Sequence, residues 1–160
     1  MATAKKSVPD GYQTVTPVLT LDNAREAVDW YKRAFGAEEL VVNTGPDGKV
    51  MHGELRIGNS RIMFHDAMMG EKGPKAFGGS PAGLWIYVDD CDSLFQRAVS
   101  AGAKPEMPVG DQFWGDRCGA LADPHGYRWL IASHKEDLTP AELRVRQAEF
   151  FKNFAPTRSK

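Results

Sequence analysis

The chain is poor in the residues that would name a chemistry outright. Its 160 residues include two cysteines, Cys91 and Cys118, and these form no CxxC pair. Two isolated cysteines do not make a disulfide framework, so a reducing compartment is the simpler reading. Charge of one sign is lacking too, with 20 Lys and Arg against 21 Asp and Glu. That balance leaves neither a basic footprint for nucleic acid nor an acidic bias. No run of about 18 apolar residues occurs, and no membrane span is expected. Met1 to Ser7 carries two lysines but no apolar stretch follows, so a secretory signal is not expected and the cytoplasm is the default location. The glycines fit turns and caps, with neither GxGxxG nor P-loop spacing. No spacing points to a Ser/His/Asp constellation.

What is present is ordinary globular material, 42% hydrophobic and 26% charged. It suffices for a core and fits one compact domain or two small fused modules. Residues 1–12 read as a polar lead-in. Val15 to Leu21 alternate, with Val15, Pro17, Leu19 and Leu21 on one face and Thr16, Val18 and Thr20 on the other. Pro17 marks an edge or a strand's beginning. Asp22 and Asn23 offer an N-cap, Ala24, Ala27, Val28, Tyr31 and Phe35 recur at helical spacing, and Gly36 suits a left-handed C-cap. A strand at Glu39 to Asn43, a turn at Gly45 to Gly48 and a hairpin of Val50 to Ile57 with Arg61 to Asp66 follow.

Residues 67–82, rich in Gly, Pro and Met, read as a plain connector or a ligand lid. Then the pattern returns. Leu84, Ile86 and Val88 alternate with Gly83, Trp85 and Tyr87; Asp89 and Asp90 offer a cap; Leu94, Phe95, Ala98 and Val99 give a helical stripe ending near Gly102. A strand near Lys104 to Met107 and a hairpin of Arg117 to Ala122 with Tyr127 to Ser133 complete it. Leu19-Thr-Leu-Asp-Asn aligns with Ile86-Tyr-Val-Asp-Asp at a period of about 66 residues, so each copy reads strand, helix, strand, strand, strand. The fold class expected is α+β: tandem βαβββ modules at 13–66 and 83–134 forming a curved mixed sheet around a cleft. Residues 135–160 add a C-terminal helix and tail. Thr139-Pro140-Ala141-Glu142 is a capping box, and Leu143, Phe150, Phe151 and Phe154 share a helical face that packs on the sheet or forms a dimer contact.

In each copy the purely apolar face of the first strand should carry the helix. The other face holds Thr16, Val18 and Thr20 in the first copy and Gly83, Trp85 and Tyr87 in the second, while Leu55 and Ile57 alternate with His52, Glu54 and Arg56. Helices on one face and mixed polar and aromatic groups on the other suit a concave binding surface, although a polar face can also simply meet water. Two large aromatics on one open face favour the former.

The tandem pattern resembles the vicinal oxygen chelate superfamily, which includes glyoxalase I, bleomycin- and fosfomycin-resistance proteins and extradiol dioxygenases. The motifs that carry the resemblance are Asp22 through Val28-Asp-Trp-Tyr-Lys-Arg-Ala-Phe-Gly-Ala37, Glu54-Leu-Arg-Ile-Gly-Asn-Ser60 and Asp123-Pro-His-Gly-Tyr127. Asp111-Gln-Phe-Trp-Gly-Asp-Arg117 and Ile131-Ala-Ser-His134 resemble the glyoxalase-like branch whose members mostly lack an assigned substrate. The resemblance implies a U-shaped cleft and usually a homodimer.

Metal-using members draw one ligand from the first and one from the fourth strand of each copy. Carried over by alignment, these positions fall on Thr16, Gly83, Leu130 and either Ile62 or Phe64, which lack competent donors apart from the weak Thr16 hydroxyl. No cofactor is therefore favoured. A shifted divalent-metal site at His52, Glu54 and Asp66 is the fallback, since Asp66 faces the cleft if Phe64 does. A hydrogen-bonded polar wall is the plainer alternative. His125 and His134 read as structural, and Cys118 as a small core residue. Phe113, Trp114 and Arg117 suit a flat polar or anionic ligand, or else form an aromatic plug with Arg117 paired to Asp116 or Asp111.

The leading expectation is a metal-independent small-molecule-binding dimer whose cleft is lined by Thr16, His52, Phe64, Trp85, Tyr87, Trp114 and Arg117. The alternatives are a metal-dependent lyase, isomerase or dioxygenase at His52, Glu54 and Asp66, and a structural or regulatory dimer with a self-filled cleft.

Overall fold

The computed structural model describes residues 6–154. Part of the expected lead-in and tail, and the side chain of Phe154, lie outside the described residues. The first module runs β1 (Val18–Leu21), α1 (Ala24–Phe35), β2 (Glu38–Thr44), β3 (Val50–Ile57) and β4 (Ser60–Asp66). A connector with a short 3-10 turn at Pro74–Phe77 leads to β5 (Gly83–Tyr87), α2 (Cys91–Ser100), β6 (Lys104–Asp111), β7 (Asp116–Ala122) and β8 (Arg128–His134). The chain closes with α3 (Pro140–Phe154). The expected order of elements is met in both copies. Each module keeps its own four-stranded sheet, ordered β1-β4-β3-β2 and β5-β8-β7-β6. Both sheets are mixed, because the first strand joins the fourth in parallel and the hairpins are antiparallel.

Local chemistry sets the helix bounds. The Asn23 side chain accepts the Glu26 N–H and the Asp90 side chain accepts the Ser93 N–H, each relieving an orphan donor of a first helical turn. Gly36 ends α1 at φ 67°, a conformation glycine adopts without a Cβ clash. A carboxylate reinforces the start of α1: Asp66 accepts from Ala24 N at 2.7 Å and from Val50 N at 2.7 Å. In the second copy Ser133 takes that place, accepting from Cys91 N at 2.9 Å. β1 is shorter than the alternation predicts. Pro17 cannot donate to the ladder, although its carbonyl still accepts Met63 N, and Val15 stands exposed before the strand.

One core serves both modules. Leu19, Leu21, Leu55 and Phe64 from the first sheet join Ile86, Leu121, Trp129 and Ile131 from the second, with the apolar faces of α1 and α2 between them. Polar links cross the same seam. Trp30 Nε1 donates to Ala101 O at 2.8 Å, and Tyr31 Oη and Trp129 Nε1 both donate to Asp123 Oδ2 at 2.8 Å. Tyr127 Oη donates to Thr20 O at 3.0 Å and accepts Thr20 N at 2.9 Å. Every helix-bearing face is thereby buried, and the opposite faces of the two sheets are left to the site.

α3 begins at the capping box read from sequence, Glu142 N donating to Thr139 Oγ1 and Thr139 N to Glu142 Oε2. Its apolar face, however, does not lie on the chain's own sheet. Val145 and Phe151 are exposed, Phe150 meets Phe113 at 5.0 Å between ring centroids, and Arg146 pairs with Glu136.

Candidate functional site

Residues paired across neighbouring strands share a face, so the ladder registers assign every side chain. On the second sheet the open face is built of cross-strand rows. The first is Lys104, Ala122, Arg128 and Gly83; the next Met107, Ala120, Leu130 and Trp85; the next Gly110, Cys118, Ala132 and Tyr87; the last Asp116 and His134. The middle of this face is floored by small side chains, with Cys118, Ala120 and Ala132 fully buried. Trp85 and Tyr87 stand beside that floor, 42% and 61% exposed, their rings 5.8 Å apart and inclined at 36°. Both border a groove of about 620 Å³ between the modules, also lined by Val15, Pro17, Asn59 and Arg61.

At the far end of the face a buried carboxylate collects three donors. Asp116 is 4% exposed. Its Oδ2 accepts from Tyr87 Oη at 2.8 Å and Trp114 Nε1 at 3.0 Å, and its Oδ1 meets His134 Nδ1 at 2.8 Å. Burial alone would raise the Asp116 carboxyl, but hydrogen bonds from His134, Tyr87 and Trp114 together hold it below its ordinary value. The same bond to Asp116, with a second to Asp137, raises the His134 imidazole above its ordinary value. Asp116 likewise raises the Tyr87 phenol. The Cys118 thiol is raised by burial first and by Asp116 second, which suits a packed thiol rather than a nucleophile.

The first sheet carries a counterpart. Glu54, 8% exposed, contacts His52 Nε2 at 3.2 Å and accepts from Arg61 at 2.9 Å. Tyr12, in the segment before β1, adds a hydrogen bond to the same carboxylate, and its ring lies 4.5 Å from the Arg61 guanidinium carbon. The Tyr12 bond is the largest influence lowering the Glu54 carboxyl; burial opposes it, and His52 and Arg61 reinforce it. Beside this group His65 Nε2 lies 3.3 Å from Thr20 Oγ1.

Several expected site residues are placed elsewhere. Phe64 is fully buried on the helix face, because β3–β4 pairing sets it against Gly53. Asp66 shares that face and caps α1, so it cannot join His52 and Glu54 across the sheet. Glu54 is already neutralised by Arg61. The fallback triad therefore does not fit a metal, and among the described residues no three His, Cys, Asp or Glu side chains are grouped to hold one. The register also makes Met63, rather than Ile62 or Phe64, the counterpart of Leu130, since Val18 pairs with Met63 as Trp85 pairs with Leu130. Met63 supplies neither the nitrogen nor the oxygen donor that the alignment sought. Arg117 points to the helix side, where Nε and Nη2 engage Asp92 of α2 at 2.7 and 2.8 Å and Nη1 reaches Asp111 at 3.1 Å. Thr16 precedes β1 and donates to Gln13 O at 3.3 Å. Tyr87 and Trp114 do come together through Asp116, and the Trp85 ring adjoins Tyr87. His52 stands on the other sheet's open face.

Paired βαβββ modules with a groove between them and open sheet faces beside it define the class of protein. The chain belongs to the glyoxalase/bleomycin resistance protein/dioxygenase superfamily, whose family model matches residues 14–131. An uncharacterized protein of Mycobacterium bovis is 39% identical over 136 residues, covering 82% of this chain and 90% of that protein. Among solved structures, TioX from Micromonospora sp. ML1 is 26% identical with a TM-score of 0.61, covering 79% of this chain and 100% of that one. A gene product of Arabidopsis thaliana is also 26% identical with a TM-score of 0.61, covering 76% and 98%. No helix among the described residues is long and apolar enough to cross a membrane.

Proposed function

We propose that this chain is a small-molecule-binding member of the superfamily that works without the family's metal, seating an aromatic ligand on the open face of its second sheet. The observation that carries this reading is the exposed Trp85–Tyr87 pair at the border of the groove between the modules. Exposed neighbouring aromatics offer stacking area at low entropic cost, and the groove provides room for a flat body. Asp116 fixes the Tyr87 hydroxyl as a donor to itself, so the phenolic oxygen presents its lone pairs to a ligand. A homodimer belongs to the same reading, because Val145 and Phe151 of α3 are left uncovered by the chain itself. The test is a panel of planar aromatic compounds titrated against intrinsic tryptophan fluorescence. Compounds that bind should lose at least tenfold in affinity in the double variant W85A/Y87A, whereas unchanged affinity there would remove the basis of the proposal.

The Asp116–His134 pair favours a second reading, an acid–base enzyme that uses no metal. Carboxylates on both ring nitrogens, Asp116 on Nδ1 and Asp137 on Nε2, favour the protonated imidazole, which suits a general acid. Turnover abolished by H134Q with ligand affinity retained would establish that reading over simple binding. Equal turnover in the variant would sink it.

A further inference from the structure

We propose that the ligand carries an anionic oxygen group, a carboxylate or a phosphate monoester, held at the other end of the same open face by Lys75, Lys104 and Arg128. A cavity of about 970 Å³ lies there between the connector and the sheet. Lys104, Ala122 and Arg128 supply its floor as one cross-strand row, and the connector supplies the wall through Lys75 and Phe77 to Pro81. Three cations line this space against a single carboxylate, Glu106, which is engaged by Arg128 at 2.7 Å. Lys75 and Lys104 are thus uncompensated within the lining, in a chain whose net charge is −1. Positive charge concentrated in one concavity of a nearly neutral protein raises the local concentration of anions.

The wall is built, not loose. Ser80 N donates to Gly126 O at 3.0 Å, and the Cα of Gly126 approaches so closely that an added Cβ would stand 3.1 Å from Pro74 Cβ. Gly78 and Gly79 hold φ of 78° and 136°, and a Cβ at either would meet nothing, so bare backbone faces open space. Phe77, 72% exposed, stands at the rim. The connector therefore acts as a fixed basic wall of a binding site.

The geometry also gives the spacing within the ligand. Arg128 and the Trp85–Leu130 row are two residues apart along the sheet, roughly 7 Å at the usual strand rise. An anionic group about that far from an aromatic ring spans both features. The assignment rests on the small-molecule reading for the aromatic body only; the anion clamp stands on its own residues.

The experiment is a titration of the full chain with inorganic phosphate, phenyl phosphate and phenol, followed by backbone amide chemical shifts. Inorganic phosphate should produce saturable shifts centred on Lys75, Gly78, Gly79, Lys104 and Arg128, and K75A/K104A should weaken it at least tenfold. Both lysines are exposed, so this variant keeps the fold. Phenyl phosphate should bind more tightly than phosphate, and W85A should remove only that difference. Shifts scattered without saturation, or equal phosphate affinity in K75A/K104A, would overturn the anion site. Phenol binding at Trp85 with no phosphate site would leave the aromatic reading intact while refuting the clamp, and a phosphate site with no response to W85A would do the reverse.

Discussion

Replacing Asp116 by Asn tests the centre of the polar end of the site. The carboxylate accepts from Tyr87, Trp114 and His134. Hydrogen bonds to a charged group contribute about 1.5–3 kcal/mol each. The three do not add, because Tyr87 and His134 are exposed and recover water on losing their partner, whereas Trp114 is only partly exposed. Asn keeps the shape of Asp. Its amide oxygen can face Trp114 and Tyr87, which turns its NH2 toward His134 and forces the imidazole into the opposite tautomer. The expected cost is therefore about 1 kcal/mol for D116N and about 2–3 kcal/mol for D116A, which strands the indole N–H. The larger value corresponds to roughly 4–12 °C in Tm for a chain of this size. The difference also depends on pH. The native Asp116 carboxyl lies below its unfolded value, so its contribution is present above about pH 4 and is lost as the pH falls through the native value. Urea unfolding of the three proteins at pH 7 and near pH 3, with a histidine NMR titration of His134, reads all of this. In D116N the His134 imidazole should move back toward about 6.5 and show Nε2–H. Unchanged stability and an unchanged His134 titration in D116N would refute the charged anchor.

Three further outcomes follow from the structure. Gly53→Ala would set a Cβ 2.1 Å from Phe64 Cζ, so it should cost upwards of about 1–3 kcal/mol in urea unfolding and be partly rescued by Phe64→Leu; a neutral G53A would contradict the β3–β4 register. In one NMR titration His134 should deprotonate above and His125 below the ordinary value near 6.5. Burial lowers His125, so its effect removes stability as the pH falls below about 6.5; the raised His134 stabilises below that pH and its effect is lost as the pH rises through its native value. Reversed order of the two resonances would contradict both environments. Arg117→Ala should leave the urea midpoint nearly unchanged, because Asp92 and Asp111 are well exposed, and should leave aromatic binding unchanged.

The elements were legible because their signals are local. Asn23 and Asp90 cap through residues three positions away, Gly36 closes α1, and the turns at 45–48 and 123–126 lie between their own strands. The repeat set the order of strands and the superfamily. The face of β4 was not legible, since Ile62, Met63 and Phe64 are all apolar and alternation cannot choose between them. The clue is Gly53, whose missing side chain leaves room for the Phe64 ring, but that is visible only once the register is known. Asp66 shares the face of Phe64, so a cleft-facing Phe64 is the whole basis of the shifted metal triad. Arg117 pairs with Asp111, as the aromatic-plug alternative expects, but not with Asp116. Its principal partner, Asp92, lies 25 residues earlier on α2, and neighbouring Asp116 and Arg117 give no sign of which faces out. Trp85 and Tyr87 were legible as two aromatics on one strand face. The link of Tyr87 to Asp116, and through it to Trp114 and His134, joins three separate segments, so no spacing could announce it.

The central claim is a ligand held on the Trp85–Tyr87 face without a metal. The most direct measurement is joint mass spectrometry and elemental analysis of the protein purified from its native host without chelators. The account predicts an aromatic small molecule bearing a carboxylate or phosphate at near-stoichiometric level, with no transition metal in proportion to protein. Stoichiometric zinc, nickel, iron or manganese with no such molecule would contradict it.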